Sequence, residues 1–224
     1  MTSMTATALT RHCRLGAIGL AFALLAACSG LRPTTTEQPS FYSLDSAAPS
    51  PMRAAASATA PTLIVSPPHA VSGFDSQRII YLREPHQLEY YAHSEWADTP
   101  ARMSAPLIVA ALEGSGAFRA VVLTPSVAAG DLRLDTEIVR LQHELGESPS
   151  RVRFTLRAYL VDGTTREVLA SQAFEETASV ASENPYGAVL AANSAVHAAL
   201  ERLANFCATA AATWQSARRQ ASAK

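Results

Sequence analysis

Few stretches of this sequence place reactive side chains at the spacing that catalysis requires. His143 and Glu144 begin a pair like that of zinc proteases, but Glu147 stands where the second histidine would be needed. Ser115 lies in a Gly-Ser-Gly sequence whose spacing differs from the nucleophile elbow of hydrolases. Glycine-rich loops that bind phosphate groups are absent from the sequence as well. The sequence therefore predicts no catalytic residues.

Four potential metal ligands lie close together in the sequence. They are His86, Glu89, His93 and Glu95. On a strand, His86 and His93 are an odd number of residues apart and point to opposite faces, which does not suit a shared metal ion. The sequence therefore predicts neither a metal site nor a cofactor, and exposed hairpin residues are the simpler interpretation.

Cys28 stands in the most specific chemical context. Two arginines precede the apolar run 15–27, a combination that is typical of a secretory signal and too short for a membrane-spanning helix. The end of that run, Leu-Ala-Ala-Cys, resembles the lipobox of bacterial lipoproteins, in which the thiol receives diacylglycerol and the chain is cut before it. We therefore predict a cleaved signal peptide at 1–27 and lipidation of Cys28; an ordinary signal peptide is the alternative.

The residues after Cys28 indicate how the chain is held at its membrane. By resemblance to bacterial sorting rules, Ser29 favours the outer membrane, on its periplasmic face, with the inner membrane as the alternative. Residues 28–40 have no hydrophobic periodicity and are predicted to form a lipidated tether. The twelve residues 29–40 reach at most about 40 Å, so the following domain stays close to its membrane.

Charge and cysteine content exclude some classes of protein. Removal of Arg11 and Arg14 with the signal leaves 16 of the 18 basic residues against 19 acidic ones, a formal charge of −3. Such a chain has no basic field for nucleic acid. With Cys28 acylated and Cys13 removed, Cys207 has no intramolecular disulfide partner, and its place in an apolar stripe predicts a small buried hydrophobe.

Alternating polar and apolar residues predict a sheet. The pattern is clearest at 131–138, 151–160 and 166–176, which we predict to form an antiparallel meander with one buried face. On its polar face, Asp135 and Glu137 are expected near Arg153 and Arg157. Further strands are predicted at 41–46, 62–67, 78–83, 87–93 and 118–123, with a hairpin turn at Glu84-Pro85 and a long loop over 47–61.

Two helices are predicted. One covers 99–113, with Thr99 as its cap, and Pro106 is expected to kink it or to divide it into two. The other runs from 184 to 219 with an apolar stripe that packs on the sheet, and its far end near Trp214 is a candidate for an oligomer contact. The fold class is therefore α+β: a single domain over 41–219, with a mixed or antiparallel sheet, helices packed on one face, a long C-terminal helix and a tail at 220–224.

The segment 78–122 resembles the ABC-type transport auxiliary lipoprotein family, which includes the paraquat-inducible lipoprotein. The resemblance is carried by Tyr81, Arg83, Leu88, Tyr90, Trp96, Leu112 and Phe118. It implies an α+β domain without known catalytic residues. It also implies partners, namely a mammalian-cell-entry (MCE) domain protein and the permease and ATPase of an ABC transporter that move lipids between two membranes. A homo-oligomer is a further expectation.

The aromatic residues of this segment suggest where a partner would bind. Tyr90 and Tyr91 are neighbours on a predicted strand and must face opposite ways. Tyr90 occupies the family-motif position and is expected in the core, which leaves Tyr91, together with Trp96, as the predicted partner contacts. Two other hypotheses remain open: a lipoprotein that activates or assembles another envelope machine, such as a secretion pore or cell-wall synthase, and a periplasmic hydrolase.

Overall fold

The computed structural model describes residues 38–45, 57–146 and 148–222. The predicted signal peptide, Cys28 and nearly all of the predicted tether lie outside these residues. The described elements are β1 (Ser40–Tyr42), β2 (Thr62–Val65), β3 (His69–Ala70), β4 (Arg78–Leu82), β5 (Glu89–Trp96), α1 (Pro100–Gly114), β6 (Ala120–Leu123), β7 (Leu132–Glu144), β8 (Arg151–Asp162), β9 (Val168–Ser179) and α2 (Pro185–Ser222). Their mixed nine-stranded sheet and long C-terminal helix confirm the predicted α+β fold.

The sheet is organised around β7, a strand of 13 residues that is paired along both edges. One edge pairs with the antiparallel strand β8 over the whole length of β7. The other edge is shared by three shorter strands, β2, β3 and β4, all parallel to β7. Beyond them, β6 lies next to β2, β5 lies next to β4, and β1 pairs with the end of β5. Each part of the sheet is thus connected through β7.

The predicted meander of β7, β8 and β9 is confirmed. Alternation along these strands buries one face against the helices, since successive side chains of a strand point to opposite sides. The buried side chains of that face on β7 and β8 include Leu132, Leu134, Thr136, Ile138, Leu141, His143, Val152, Phe154, Leu156, Ala158 and Leu160. The other predicted strands are confirmed as well, although the first is shorter than expected and β5 continues to Trp96.

The polar face of the meander carries only part of the predicted charge pairing. Glu137 lies opposite Arg157, and the Arg157 Nη1 atom is 2.7 Å from the Glu137 Oε2 atom, as predicted. Asp135 instead forms an ion pair of 3.1 Å with Arg133 on its own strand. The predicted proximity of Asp135 to Arg153 is wrong, because the register places Arg153 opposite the far end of β7.

At that far end, Arg153 belongs to a denser charge network. Glu144 accepts hydrogen bonds of 2.8 Å from the Nε atoms of both Arg151 and Arg153, and Arg153 also bonds Glu175. Burial alone would raise the pKa of Glu144, but hydrogen bonds from Arg153, Arg151 and Gln142 outweigh it and lower that pKa to about 2. Glu144 is therefore charged at neutral pH, and its ion pairs stabilise the end of the β7–β8 pairing next to the connecting turn.

Helix α1 begins as predicted and continues past its internal proline. Thr99 is the N-cap, its side chain accepts from the backbone N–H of Arg102, and Pro100 occupies the first turn. The expectation of two short helices is wrong, because one helix runs through Pro106 to Gly114. Both Pro106 and Arg102 are exposed, so the Arg102 carbonyl that loses its helical donor can bond to water.

Helix α2 is the long predicted helix and packs against β7, β8, β9 and α1. Asn184 caps it, since its Oδ1 atom accepts from the backbone N–H of Gly187 at 2.8 Å. Cys207 is fully buried in its apolar stripe, and burial raises the pKa of this thiol to about 12, which confirms the prediction of a buried hydrophobe. Near the end of α2, the Trp214 indole donates to Asp162 at 2.6 Å and so packs on its own domain.

We predict that Glu144→Gln destabilises the domain by about 1–3 kcal/mol, because two partly buried arginines lose a charged acceptor. Asp135→Asn is the matched control. The side chains of Arg133 and Asp135 are 48% and 35% exposed, so the loss of that pair should cost no more than about 0.5 kcal/mol. Urea denaturation at neutral pH measures both free energies of unfolding, and equal losses would contradict the assignment.

Candidate functional site

Tyr81 on β4, Tyr91 on β5 and His143 on β7 form a cluster where these three strands lie side by side. Tyr81 is the direct strand neighbour of His143, and the ring centroids of Tyr81 and Tyr91 are 4.7 Å apart. The Tyr91 hydroxyl lies 2.8 Å from the His143 Nδ1 atom. Tyr91 therefore reaches past β4 to the central strand and ties the β4–β5 hairpin to it.

The chain of hydrogen bonds continues inward from His143. Its Nε2 atom is 2.9 Å from the Ser150 hydroxyl, and the Ser150 carbonyl accepts from the backbone N–H of Val180. Sequence reasoning missed this contact, because His143 and Ser150 are brought together only by the turn between β7 and β8. A histidine that binds a serine hydroxyl is the arrangement that a nucleophilic hydrolase uses, so its accessibility decides what it can do.

The Ser150–His143 pair is buried, so a substrate cannot reach it. Ser150 is 0% exposed and His143 is 1% exposed. A nucleophile must approach a carbonyl or phosphoryl group to within bonding distance, and a hydroxyl enclosed by the protein offers no such approach. The two side chains therefore satisfy each other's hydrogen-bonding groups, and they link β7, the following turn and the segment before α2.

The environment of the cluster fixes its protonation. Burial raises the pKa of Tyr91 to about 12, with a smaller contribution from Tyr81. Burial also lowers the pKa of His143 below 6.5, against a weaker opposing effect of Glu183. At neutral pH both side chains are uncharged, so one ring nitrogen of His143 donates and the other accepts.

The predicted orientation of the two neighbouring tyrosines is wrong. Tyr91 packs against the core and binds His143, whereas Tyr90 is 38% exposed, with the Arg78 guanidinium 4.7 Å from its ring centroid. Alternation requires only that the two tyrosines face opposite ways. The hydrogen bond to the buried His143 is what holds Tyr91 on the inner side. Trp96, the other predicted contact, is 2% exposed and offers almost no surface to a partner.

The candidate metal ligands of the hairpin are dispersed. His86 lies in the loop after β4 with a φ of 71° rather than on the strand, while Glu89, His93 and Glu95 lie on β5. Within residues 38–45, 57–146 and 148–222, no three His, Cys, Asp or Glu side chains lie close enough to hold a metal ion. In the same part of the chain, no helix is both long and apolar enough to cross a membrane.

Comparisons with known proteins agree on family and fold. Residues 42–204 match the family model described as the ABC-type transport auxiliary lipoprotein component. The crystal structure of a DUF330 protein from Xanthomonas campestris has a TM-score of 0.67 at 21% identity and covers 79% of this chain and 99% of that one. The crystal structure of an uncharacterised protein has a TM-score of 0.59 at 13% identity and covers 76% and 99%. Both similarities are to the fold, and no curated protein matches the chain significantly.

We predict that Tyr91→Phe lowers the free energy of unfolding by about 1–3 kcal/mol, because it leaves a buried nitrogen of His143 without a partner. Tyr90→Phe is the control: it removes the same atom from an exposed ring and should change stability by no more than about 0.5 kcal/mol. Urea denaturation compares the two variants. A larger loss for Tyr90→Phe would contradict the assigned orientations.

The buried His143 also predicts a pH dependence of stability. Its pKa is lower in the folded chain than in the unfolded one, so below pH 6.5 the unfolded chain binds the extra proton and stability falls. In His143→Gln this contribution is lost. The stability advantage of the wild type over His143→Gln should therefore shrink between about pH 7.5 and about pH 5, as thermal unfolding would measure. A difference that does not change with pH would show that the pKa of His143 is the same in the folded and the unfolded chain, and a difference that grows as the pH falls would show that the fold raises it.

Proposed function

The chain belongs to the ABC-type transport auxiliary lipoprotein family, and on that premise we propose that it is a non-enzymatic subunit of an MCE-type lipid-transport system. In this function it binds an MCE-domain protein and the permease and ATPase of an ABC transporter. Lipidation of Cys28 anchors it to the outer membrane on the periplasmic side. Its contribution is to bind and position the other subunits, since the chemistry of transport belongs to the ATPase.

The observation that carries this proposal is the extent of the family match. The matched residues, 42–204, run from the end of β1 into α2 and thus include all the strands of the sheet that surround β7. The signal-like start of the chain and the Cys28 context agree with a lipoprotein. The burial of Ser150 and His143 supports a function without catalysis.

The outer face of the β4–β5 hairpin is the partner contact that we propose. Of the seven residues that carry the family resemblance, four are buried, namely Tyr81, Trp96, Leu112 and Phe118. Packing accounts for those four. Leu88 and Tyr90 are 39% and 38% exposed, so they have an apolar surface that the domain does not use. Leu88 directly precedes β5 and Tyr90 lies on it. The Arg78 guanidinium stacks on the Tyr90 ring and adds a positive charge to this exposed surface.

We predict that Tyr90→Ala weakens isolation of the MCE-domain protein together with this chain from membranes. An exposed aromatic beside an arginine is a typical binding contact, and its truncation often costs more than about 1 kcal/mol, or roughly fivefold in affinity. Tyr159→Ala is the matched control, because Tyr159 is 36% exposed on β8, away from the hairpin. Both variants should unfold within a few degrees of the wild type.

Affinity isolation of the tagged wild type, followed by identification of the bound proteins, tests the function itself. Recovery of a permease, an ATPase and an MCE-domain protein supports it. Recovery of secretion-pore or cell-wall synthesis proteins would support the alternative, an activator or assembly factor of another envelope machine. If the transport subunits are recovered equally well with Tyr90→Ala, the function stands and the proposed contact is wrong.

A further inference from the structure

Exposed apolar side chains lie at the start of α2, next to β1. Five large apolar side chains of the described residues are more than half exposed: Phe41, Val127, Val168, Tyr186 and Leu190. Two of these five, Tyr186 and Leu190, lie one helical turn apart at the start of α2. Tyr42 of β1 packs beside them, since its ring centroid is 6.4 Å from that of Tyr186, whereas Phe41, the preceding residue on that strand, faces the opposite side of the sheet. We call Tyr42, Tyr186 and Leu190 the basal patch.

One face of α2 carries Tyr186 and Leu190 of the basal patch and also the residues that hold the segment after β1. Tyr186, Leu190, Asn193 and His197 are spaced by four, three and four residues and so lie on one side of the helix. Asn193 accepts from the backbone N–H of Asp45 at 2.8 Å and donates to the Ser43 carbonyl at 3.3 Å. His197 donates to the Asp45 carbonyl at 3.1 Å. The chain therefore enters the domain at a fixed position beside the patch.

This position determines what the patch can reach. Residues 29–39 separate Cys28 from β1 and span at most about 40 Å. We propose that the basal patch rests on the lipid bilayer to which Cys28 anchors the chain, so that the domain has a defined orientation on the membrane. The proposal rests on the lipidation of Cys28 that is part of the proposed function.

A short tether makes even a weak patch effective. It confines the domain to a layer near the membrane, where the effective concentration of the two surfaces is roughly millimolar or higher. Aromatic and aliphatic side chains such as tyrosine and leucine suit the interface between headgroups and acyl chains. A patch of three such side chains is sufficient to orient a domain that the anchor already holds, although it is too small to bind a membrane without the anchor.

The charges around the basal patch specify the kind of contact. The two segments that form the patch, 38–45 and 180–201, contain no lysine or arginine but do contain Asp45, Glu183 and Glu201. These segments therefore offer no attraction to anionic headgroups, and the contact depends on burial of apolar surface. It should be at least as strong on zwitterionic lipid as on anionic lipid and should not weaken with salt, unlike a polybasic contact.

A fluorophore attached through cysteine tests the contact in the full lipidated chain. Cys207 is buried with a raised pKa, so it does not compete for a thiol reagent, and an acylated Cys28 has no free thiol. Leu190→Cys carries the polarity-sensitive probe, and Val168→Cys is the control, because Val168 is 59% exposed and lies on β9. Each labelled chain is reconstituted into phosphatidylcholine vesicles that contain a nitroxide-labelled lipid.

We expect the probe at Leu190→Cys to be quenched several-fold more by the nitroxide lipid than the probe at Val168→Cys, and to shift its emission to shorter wavelength. Equal quenching at the two positions, in chains that float with the vesicles, would overturn the basal contact and leave the anchor intact. Chains that do not float with the vesicles would overturn both. A blue shift at Leu190→Cys without lipid quenching would place a second protein copy on the patch and also overturn the proposal.

Discussion

The structure depends on the pairing of one strand. Strand β7 supplies one edge to β8 over its whole length and divides the other edge among β2, β3 and β4. None of these three short strands has enough backbone hydrogen bonds for independent stability, and each is stable only as part of a sheet with a buried face. The same strand positions Leu132, Leu134 and Ile138 beneath the helices. Sheet pairing and core formation therefore depend on the same residues.

The hairpin that carries the proposed partner contact is attached to this frame by few backbone bonds. Strand β4 matches β7 at only two register positions, Tyr81 with His143 and Leu82 with Glu144. The hydrogen bonds of Tyr91, His143 and Ser150 add a side-chain link across the same junction. Because Tyr91 is held inward by this link, Tyr90 must face outward. A buried polar chain thus determines which aromatic ring the hairpin presents to a partner.

The sequence predicts those parts of the fold in which local pattern and tertiary environment agree. Alternation over 131–138 and 151–160 and the apolar stripe that contains Cys207 were sufficient for the meander and for α2. The orientation of Tyr90 and Tyr91 was not predictable. Strand alternation shows only that the two rings point to opposite faces, and the residue that holds Tyr91 inward, His143, is distant in the sequence. The ion pairs of Arg153 depend on a register that is set by the β7–β8 turn, and alternation does not specify that register. The family match indicates the class of function, whereas the contact surfaces follow from burial.

Hydrogen exchange of the wild type and of Tyr91→Phe tests most directly whether β7 is the frame and the Tyr91–His143–Ser150 link attaches the hairpin to it. We expect the backbone amides of β7 and β8 to exchange most slowly in both proteins, since they open only with global unfolding. Relative to those amides, the amides of β4 and β5 should exchange faster in Tyr91→Phe than in the wild type. Acceleration by the same factor throughout the sheet, or slowest exchange in β4 and β5, would contradict both assignments.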